Sequence, residues 1–143
     1  VSAVLDASAV AAILRGEPGA IAAADAAVSG AITSVNLAEA RDRLGRLTGD
    51  PPSVARALDA LVERGMRVLV CDRELAEAAA DLRTRHYHRR RAAVSLADCI
   101  AVAAAERAGG PLVSSDHGQV ALARTIGVAV RPIANSSGLV PEG

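Results

Sequence analysis

Four acidic residues, Asp6, Glu39, Asp98 and Asp116, each follow a short apolar segment. Each is expected where a strand hands over to a helix, or in the first turn of that helix. In an open α/β sheet the strand C-termini share one edge, and ligands bind there. Four carboxylates converging on that edge would repel one another at neutral pH unless a divalent cation held them. Carboxylates are hard oxygen donors suited to Mg²⁺ or Mn²⁺, and softer ligands are absent nearby. The chemistry implied is metal-assisted hydrolysis, with phosphodiesters as the natural substrates, because metal charge reverses the repulsion between an acidic pocket and a phosphate. A metal-free route would need a paired general acid and base, usually His. His86, His88 and His117 are poorly placed for that role.

Each acid taken alone also reads as a helix cap. Asp6 precedes Ala7 and Ser8 at a helix start, and Asp116 stands at another helix entry. Asn36 with Glu39, and Ser95 with Asp98, have the spacing of a capping box. The two readings differ in their response to alanine. Loss of a cap costs about 0.5–2 kcal/mol, whereas loss of one of several repelling charges leaves the metal-free chain unchanged or more stable. On the cluster reading, Asp6→Ala and Asp98→Ala should not destabilise the chain in EDTA.

Composition narrows the field. The 143 residues suffice for one domain. Hydrophobic residues make up 51% but aromatics only 1%, so the core must be built from Ala, Val, Leu and Ile. No Lys occurs, which excludes a P-loop and a Schiff-base enzyme. Net charge is zero, so any nucleic-acid binding must come from local charge. No apolar stretch is long enough to span a membrane, and no basic segment precedes Asp6 to suggest a signal peptide. A cytoplasmic protein with Cys71 and Cys99 as reduced thiols is expected.

The acids need an alternating scaffold, and the chain supplies one. Strands are expected at Val1 to Leu5, Ala31 to Thr33, Arg67 to Val70, Leu112 to Val113, and Val128 to Val130 running to Pro132. Helices are expected from Ala7 to Arg15, from Pro18 to Ala27, from Leu37 to Leu47, and from Pro51 or Pro52 to about Gly65. Further helices are expected over Arg73 to Arg83, Leu96 to Arg107 and Gln119 to Arg124. Strand–helix alternation with short connections argues for a parallel sheet covered on both faces.

The order and separation of Val4-Leu5-Asp6-Ala7-Ser8, Asn36-Leu37-Ala38-Glu39, Leu96-Ala97-Asp98 and Val113-Ser114-Ser115-Asp116 resembles the PIN-domain ribonucleases, and among them the VapC toxins of prokaryotic toxin–antitoxin pairs. The resemblance covers about residues 2 to 133. It implies a PIN-like three-layer α/β/α fold with a central parallel sheet of about five strands, in a domain over 1–134; the polar, Gly- and Pro-rich stretch 135–143 is expected to be a flexible C-terminal tail. By matched position Asp6, Glu39, Asp98 and Asp116 would be the catalytic acids and line a Mg²⁺ or Mn²⁺ pocket. Ser114 matches a hydroxyl residue that helps organise the site, and Ser8 the small hydroxyl residue after the first acid. His117 departs from the family pattern, and Val120 or Leu122 stands where an aromatic or large aliphatic residue is often found.

The same resemblance implies hydrolysis of RNA to a 5′-phosphate and a 3′-hydroxyl, a homodimer, and a VapB-type antitoxin. The antitoxin's C-terminal segment would lie in a groove walled by the helices of Ala7 to Ala27 and Asn36 to Leu47. The alternative is a catalytically silent PIN fold that binds RNA or protein. Arg89, Arg90 and Arg91, in a basic run from Arg83 with His86 and His88, are candidate phosphate contacts. With one Tyr and no Phe or Trp, base stacking on aromatic platforms is expected to be scarce. Three rival folds lack their key residues: a receiver domain needs a Lys, a haloacid-dehalogenase phosphatase needs a second Asp where Ser8 stands, and a dinucleotide site needs glycines after the first strand.

Overall fold

The computed structural model describes residues 2–142. Five short strands form an all-parallel sheet in the order β3-β2-β1-β4-β5: β1 (Val4–Leu5), β2 (Ala31–Thr33), β3 (Arg67–Leu69), β4 (Leu112–Ser114) and β5 (Val130–Pro132). Seven helices connect and cover them among the described residues: α1 (Ala7–Arg15), α2 (Ala20–Val28), α3 (Ser34–Thr48), α4 (Pro51–Glu63), α5 (Arg73–His86), α6 (Leu96–Ala108) and α7 (His117–Thr125). The expected three-layer α/β/α arrangement is what the chain adopts.

The pleat explains how strands of two or three residues hold two cores apart. Successive side chains of a strand point to opposite faces. Leu5, Ile32 and Val113 point into the layer of α1 to α4, packing with Val10, Leu44 and Leu58. Val4 and Leu112 point the other way, into the layer of α5 to α7, against Leu75, Val102 and Leu122. Both cores are aliphatic. Ala101, Ala103, Ala104 and Ala105 are all buried, so α6 packs into the second layer largely through small side chains.

Several boundaries differ from the expected ones, for local reasons. Pro18 does not open α2; it sits in a turn, and α2 starts at Ala20 after Gly19. Helix α3 starts at Ser34, because Thr33 ends β2 and also caps α3 with its side chain on Asn36 N–H. The expected Asn36–Glu39 capping box is therefore not formed, and Glu39 lies in the second turn rather than the first. Helix α5 runs on to His86 and so takes in the start of the basic run. Strand β5 is shifted to Val130–Pro132, and Pro132 is tolerated there because β5 is an edge strand. Val1 of the expected first strand lies outside the described residues. Beyond Ile133, the Asn135 side chain accepts the N–H groups of Ser137 and Leu139 and closes a turn. No helix among the described residues is long and apolar enough to cross a membrane.

Candidate active site

Strand order reverses between β1 and β4, since the chain builds outward from β1 through β2 to β3 and then returns to β4 and β5. That crevice is where ligands bind in open α/β sheets. Register pairs Leu5 with Val113. The next residue on each strand, Asp6 and Ser114, therefore come side by side at the C-terminal edge.

Asp6 is fully buried, at 0% exposure, and its carboxylate is held by three donors. The Ser8 hydroxyl and Ala9 N–H donate to Oδ1 at 2.6 and 2.9 Å, and the Ser114 hydroxyl donates to Oδ2 at 2.5 Å. Each hydroxyl accepts in turn. Ser114 Oγ takes Asp116 N–H at 2.9 Å, and Ser8 Oγ takes Ser115 N–H at 3.0 Å. Two serines thus lace the end of β1 to the end of β4. Burial pushes the Asp6 carboxyl up from 3.8 to about 6, against the pull of all three hydrogen bonds, and the charge of Asp116 adds to the rise.

The other acids come from three further elements. Glu39 projects from α3, and burial raises its carboxyl above the ordinary glutamate value. Arg43, with Nη2 3.6 Å from Glu39 Oε2, and a hydrogen bond with Asn36 oppose that rise, while the charges of Asp98 and Asp116 reinforce it. Asp98 is the third residue of α6, where it closes a capping box with Ser95. Burial raises its carboxyl too, and Asp116 again adds to the effect. Asp116 itself is exposed and caps α7 by accepting Gln119 N–H at 2.9 Å.

The cap and cluster readings therefore coincide. Asp6, Asp98 and Asp116 cap helices, yet the charge of Asp116 acts on all three other acids, and that of Asp98 acts on Glu39. Acids up to 110 positions apart share one field. Their side chains do not close on a common point: among the described residues no three acid, His or Cys side chains stand within reach of one ion. Each carboxylate instead turns to an internal donor: Asp6 to two serines, Asp98 to Ser95 N–H, Glu39 to Asn36 and Arg43. In donor type the set fits a hard divalent cation.

Two residues that sequence reasoning did not assign to the site help shape it. Asn36 is buried, accepts the Thr33 hydroxyl at Oδ1 and donates Nδ2 to Ala97 O at 3.0 Å, one residue before Asp98. Arg43 is the cation whose charge bears on both Glu39 and Asp98; its i,i+4 spacing from Glu39 was the available signal. Arg89, Arg90 and Arg91 lie on an exposed turn after α5 closed by paired backbone bonds between His88 and Ala92. His88 Nδ1 accepts the N–H groups of Arg90 and Arg91 at 3.2 and 3.1 Å. No ion pair joins these arginines to the four acids among the described residues.

The PIN domain family matches residues 3–125. No curated protein matches the chain in sequence. Among solved structures, the sarcin-ricin loop cleaving toxin VapC20 of Mycobacterium tuberculosis superposes with a TM-score of 0.71 at 19% identity, covering 98% of this chain and 100% of that one. FitAcB from Neisseria gonorrhoeae gives 0.69 at 20% identity, with 96% and 99% covered. VapBC2 from Rickettsia felis, solved bound to a DNA fragment from its promoter, gives 0.69 at 16% identity, with 92% and 98% covered. These likenesses are likenesses of fold; the family match, over most of the chain, is one of sequence. The chain belongs to the PIN domain family.

Proposed function

We propose that this protein is a metal-dependent endoribonuclease and the toxin of a type II toxin–antitoxin pair. The observation that carries the reading is the shared field of Asp6, Glu39, Asp98 and Asp116, delivered by separate elements to the switch point of the sheet. These four acids would hold Mg²⁺ or Mn²⁺. When bound, such an ion would polarise a phosphodiester and lower the pKa of a water, so that it loses a proton and attacks phosphorus as hydroxide. Ser8 and Ser114 fix the Asp6 carboxylate between β1 and β4, and Asn36 fixes Glu39 against the first turn of α6. Arg43 offsets part of the negative charge near Glu39, and its side chain, 61% exposed, is accessible to a phosphate.

The test is cleavage of a panel of structured and single-stranded RNAs by the purified protein with Mn²⁺ and with excess EDTA. The expected products carry 5′-phosphates and 3′-hydroxyls and appear only with metal. Persistent cleavage in EDTA overturns the metal mechanism.

Solved structures of similar fold include a toxin–antitoxin complex from Klebsiella pneumoniae, at a TM-score of 0.65 and 20% identity. By that likeness, a VapB-type antitoxin would bind this chain. A cleft of about 410 Å³ between α1, α3 and α4, where apolar Leu14, Leu44 and Val54 stand beside polar Arg15, Asp50 and Ser53, is where its segment would lie. A cytoplasmic homodimer completes the reading. The alternative is a catalytically silent PIN-fold module that binds RNA or protein. Mn²⁺ calorimetry separates the two: the silent module shows no heat of binding.

A further inference from the structure

A second cleft, of about 260 Å³, opens between the end of α5 and the start of α6, lined by Ala80, Arg83, Thr84, Tyr87 and Leu96. Its lining is unusual for this chain. Tyr87 is the sole tyrosine, and the sequence has no Phe or Trp, yet this ring is 45% exposed instead of serving the core. Leu96, the first residue of α6, is 53% exposed. The Arg83 guanidinium lies 4.3 Å from the Tyr87 ring centroid, and its Nε donates to Val94 O at 2.9 Å. Two planar groups are thus held beside an apolar side chain.

Splayed nucleobases are taken by aromatic rings and guanidinium planes, with affinity that tolerates any base. At about 260 Å³ the cleft falls below the roughly 300–1,000 Å³ of drug-sized sites, so it suits a single heterocycle. Its surroundings fit a polynucleotide. The exposed Arg89–Arg91 turn follows directly from Tyr87, and Leu96 shares the first turn of α6 with Asp98. We propose that this cleft is a subsite for one unstacked base of the RNA strand, with Tyr87 the residue on which that base stacks and the arginine turn holding the flanking phosphates. The proposal rests on the ribonuclease reading above. It also revises the expectation that aromatic stacking plays little part.

The experiment uses protein with isotopically labelled tyrosine, which gives signals from Tyr87 alone. Single-stranded RNA, the same oligonucleotide with abasic positions, and a free mononucleotide are titrated in EDTA, so that no cleavage occurs. The base-bearing RNA should shift the ring signals upfield, and the abasic strand should not. Tyr87→Leu should bind the base-bearing strand about tenfold more weakly, down to the level of the abasic one. Equal ring shifts with both strands, or no shift with either, overturns the subsite, as does undiminished binding by Tyr87→Leu. A shift with the mononucleotide alone overturns it too, since the cleft would then be a nucleotide site. Cleavage by the same preparation in Mn²⁺ judges the nuclease reading separately.

Discussion

Asn36 donates its side-chain amide to the carbonyl of Ala97 at 3.0 Å, and this bond ties α3 to the first turn of α6 across 61 positions of sequence. The same side chain accepts the Thr33 hydroxyl and helps hold the Glu39 carboxyl down against its burial. One buried amide therefore sets the distance between the elements that carry Glu39 and Asp98. Asn36→Ala should lower stability by about 1–3 kcal/mol, the usual cost of leaving buried partners unpaired. It should also weaken Mn²⁺ binding, although Asn36 is not itself in the acid set. Urea midpoints and calorimetry check this. Unchanged Mn²⁺ affinity in a destabilised variant would reduce Asn36 to a packing role.

Asp6 predicts an unusual pH dependence. Its folded value of about 6 lies above the ordinary 3.8. A group whose value is raised by folding stabilises the fold below its unfolded value and loses that contribution as pH rises through its folded value. The metal-free protein should thus gain about 2 kcal/mol from Asp6 between pH 7.5 and pH 4, with Glu39 and Asp98 acting in the same direction. Asp6→Asn retains the helix cap, since Asn caps as well as Asp, and should flatten this slope. Alanine is a poorer probe: Asp6 and Asp98 both cap helices, so Asp6→Ala and Asp98→Ala remove two roles at once. With saturating Mn²⁺ the dependence should reverse, because the ion favours the ionised form. An identical pH slope in Asp6→Asn and wild type, measured in EDTA, would refute the assignment.

Much of this was legible in the sequence, and the failures have physical causes. Val4-Leu5 before Asp6 and Leu112-Val113 before Ser114 mark buried strands, because β-branched and aliphatic pairs next to turn residues have few alternatives. Ser95 with Asp98 is read correctly as a box because its start is unambiguous. Thr33 misleads, since a β-branched residue counts toward the strand while its hydroxyl also caps the helix, leaving no loop between. That overlap displaced the expected start of α3 and hid Asn36. Side-chain direction is also beyond sequence patterning. The order of the acids locates their elements, but whether carboxylates meet or turn to Ser, Asn and Arg partners depends on tertiary contacts such as Ser114 with Asp6.

The arginine turn supplies a test of RNA contact that leaves the acids alone. If Arg89, Arg90 and Arg91 each meet a phosphate of a single strand, replacing all three with Ala should reduce the slope of log affinity against log salt by about 2. Mn²⁺ affinity should not change. His88→Ala should act in the same direction but less strongly, by releasing the N–H groups that shape the turn. His88→Asn, whose side-chain oxygen can still accept, should restore most of the loss. Salt titrations of RNA binding for the three variants decide it, and an unaltered slope in the triple variant returns the turn to solvated surface.

Ser114 offers the sharpest test of how the Asp6 carboxylate is held. Its hydroxyl is the strongest of the hydrogen bonds that lower the Asp6 value, and the same oxygen accepts Asp116 N–H. Ser114→Ala removes both bonds at a fully buried position. Asp6 should then titrate still higher, because burial remains and its chief counterweight is gone. A hydrogen bond to a charged group is worth about 1.5–3 kcal/mol, so the variant should lose about that much stability at pH 8, where Asp6 is ionised. It should lose less at pH 4.5, where Asp6 carries a proton in both proteins. RNA cleavage should need a higher pH to reach half its maximum. Ser114→Thr, which keeps the hydroxyl, should return the cleavage profile toward wild type even if the added methyl costs some stability. Urea melts at the two pH values and a pH–rate profile measure all of this. Equal destabilisation at pH 8 and pH 4.5, with the rate profile unmoved, would show that Ser114 fills space and does not govern the charge of Asp6.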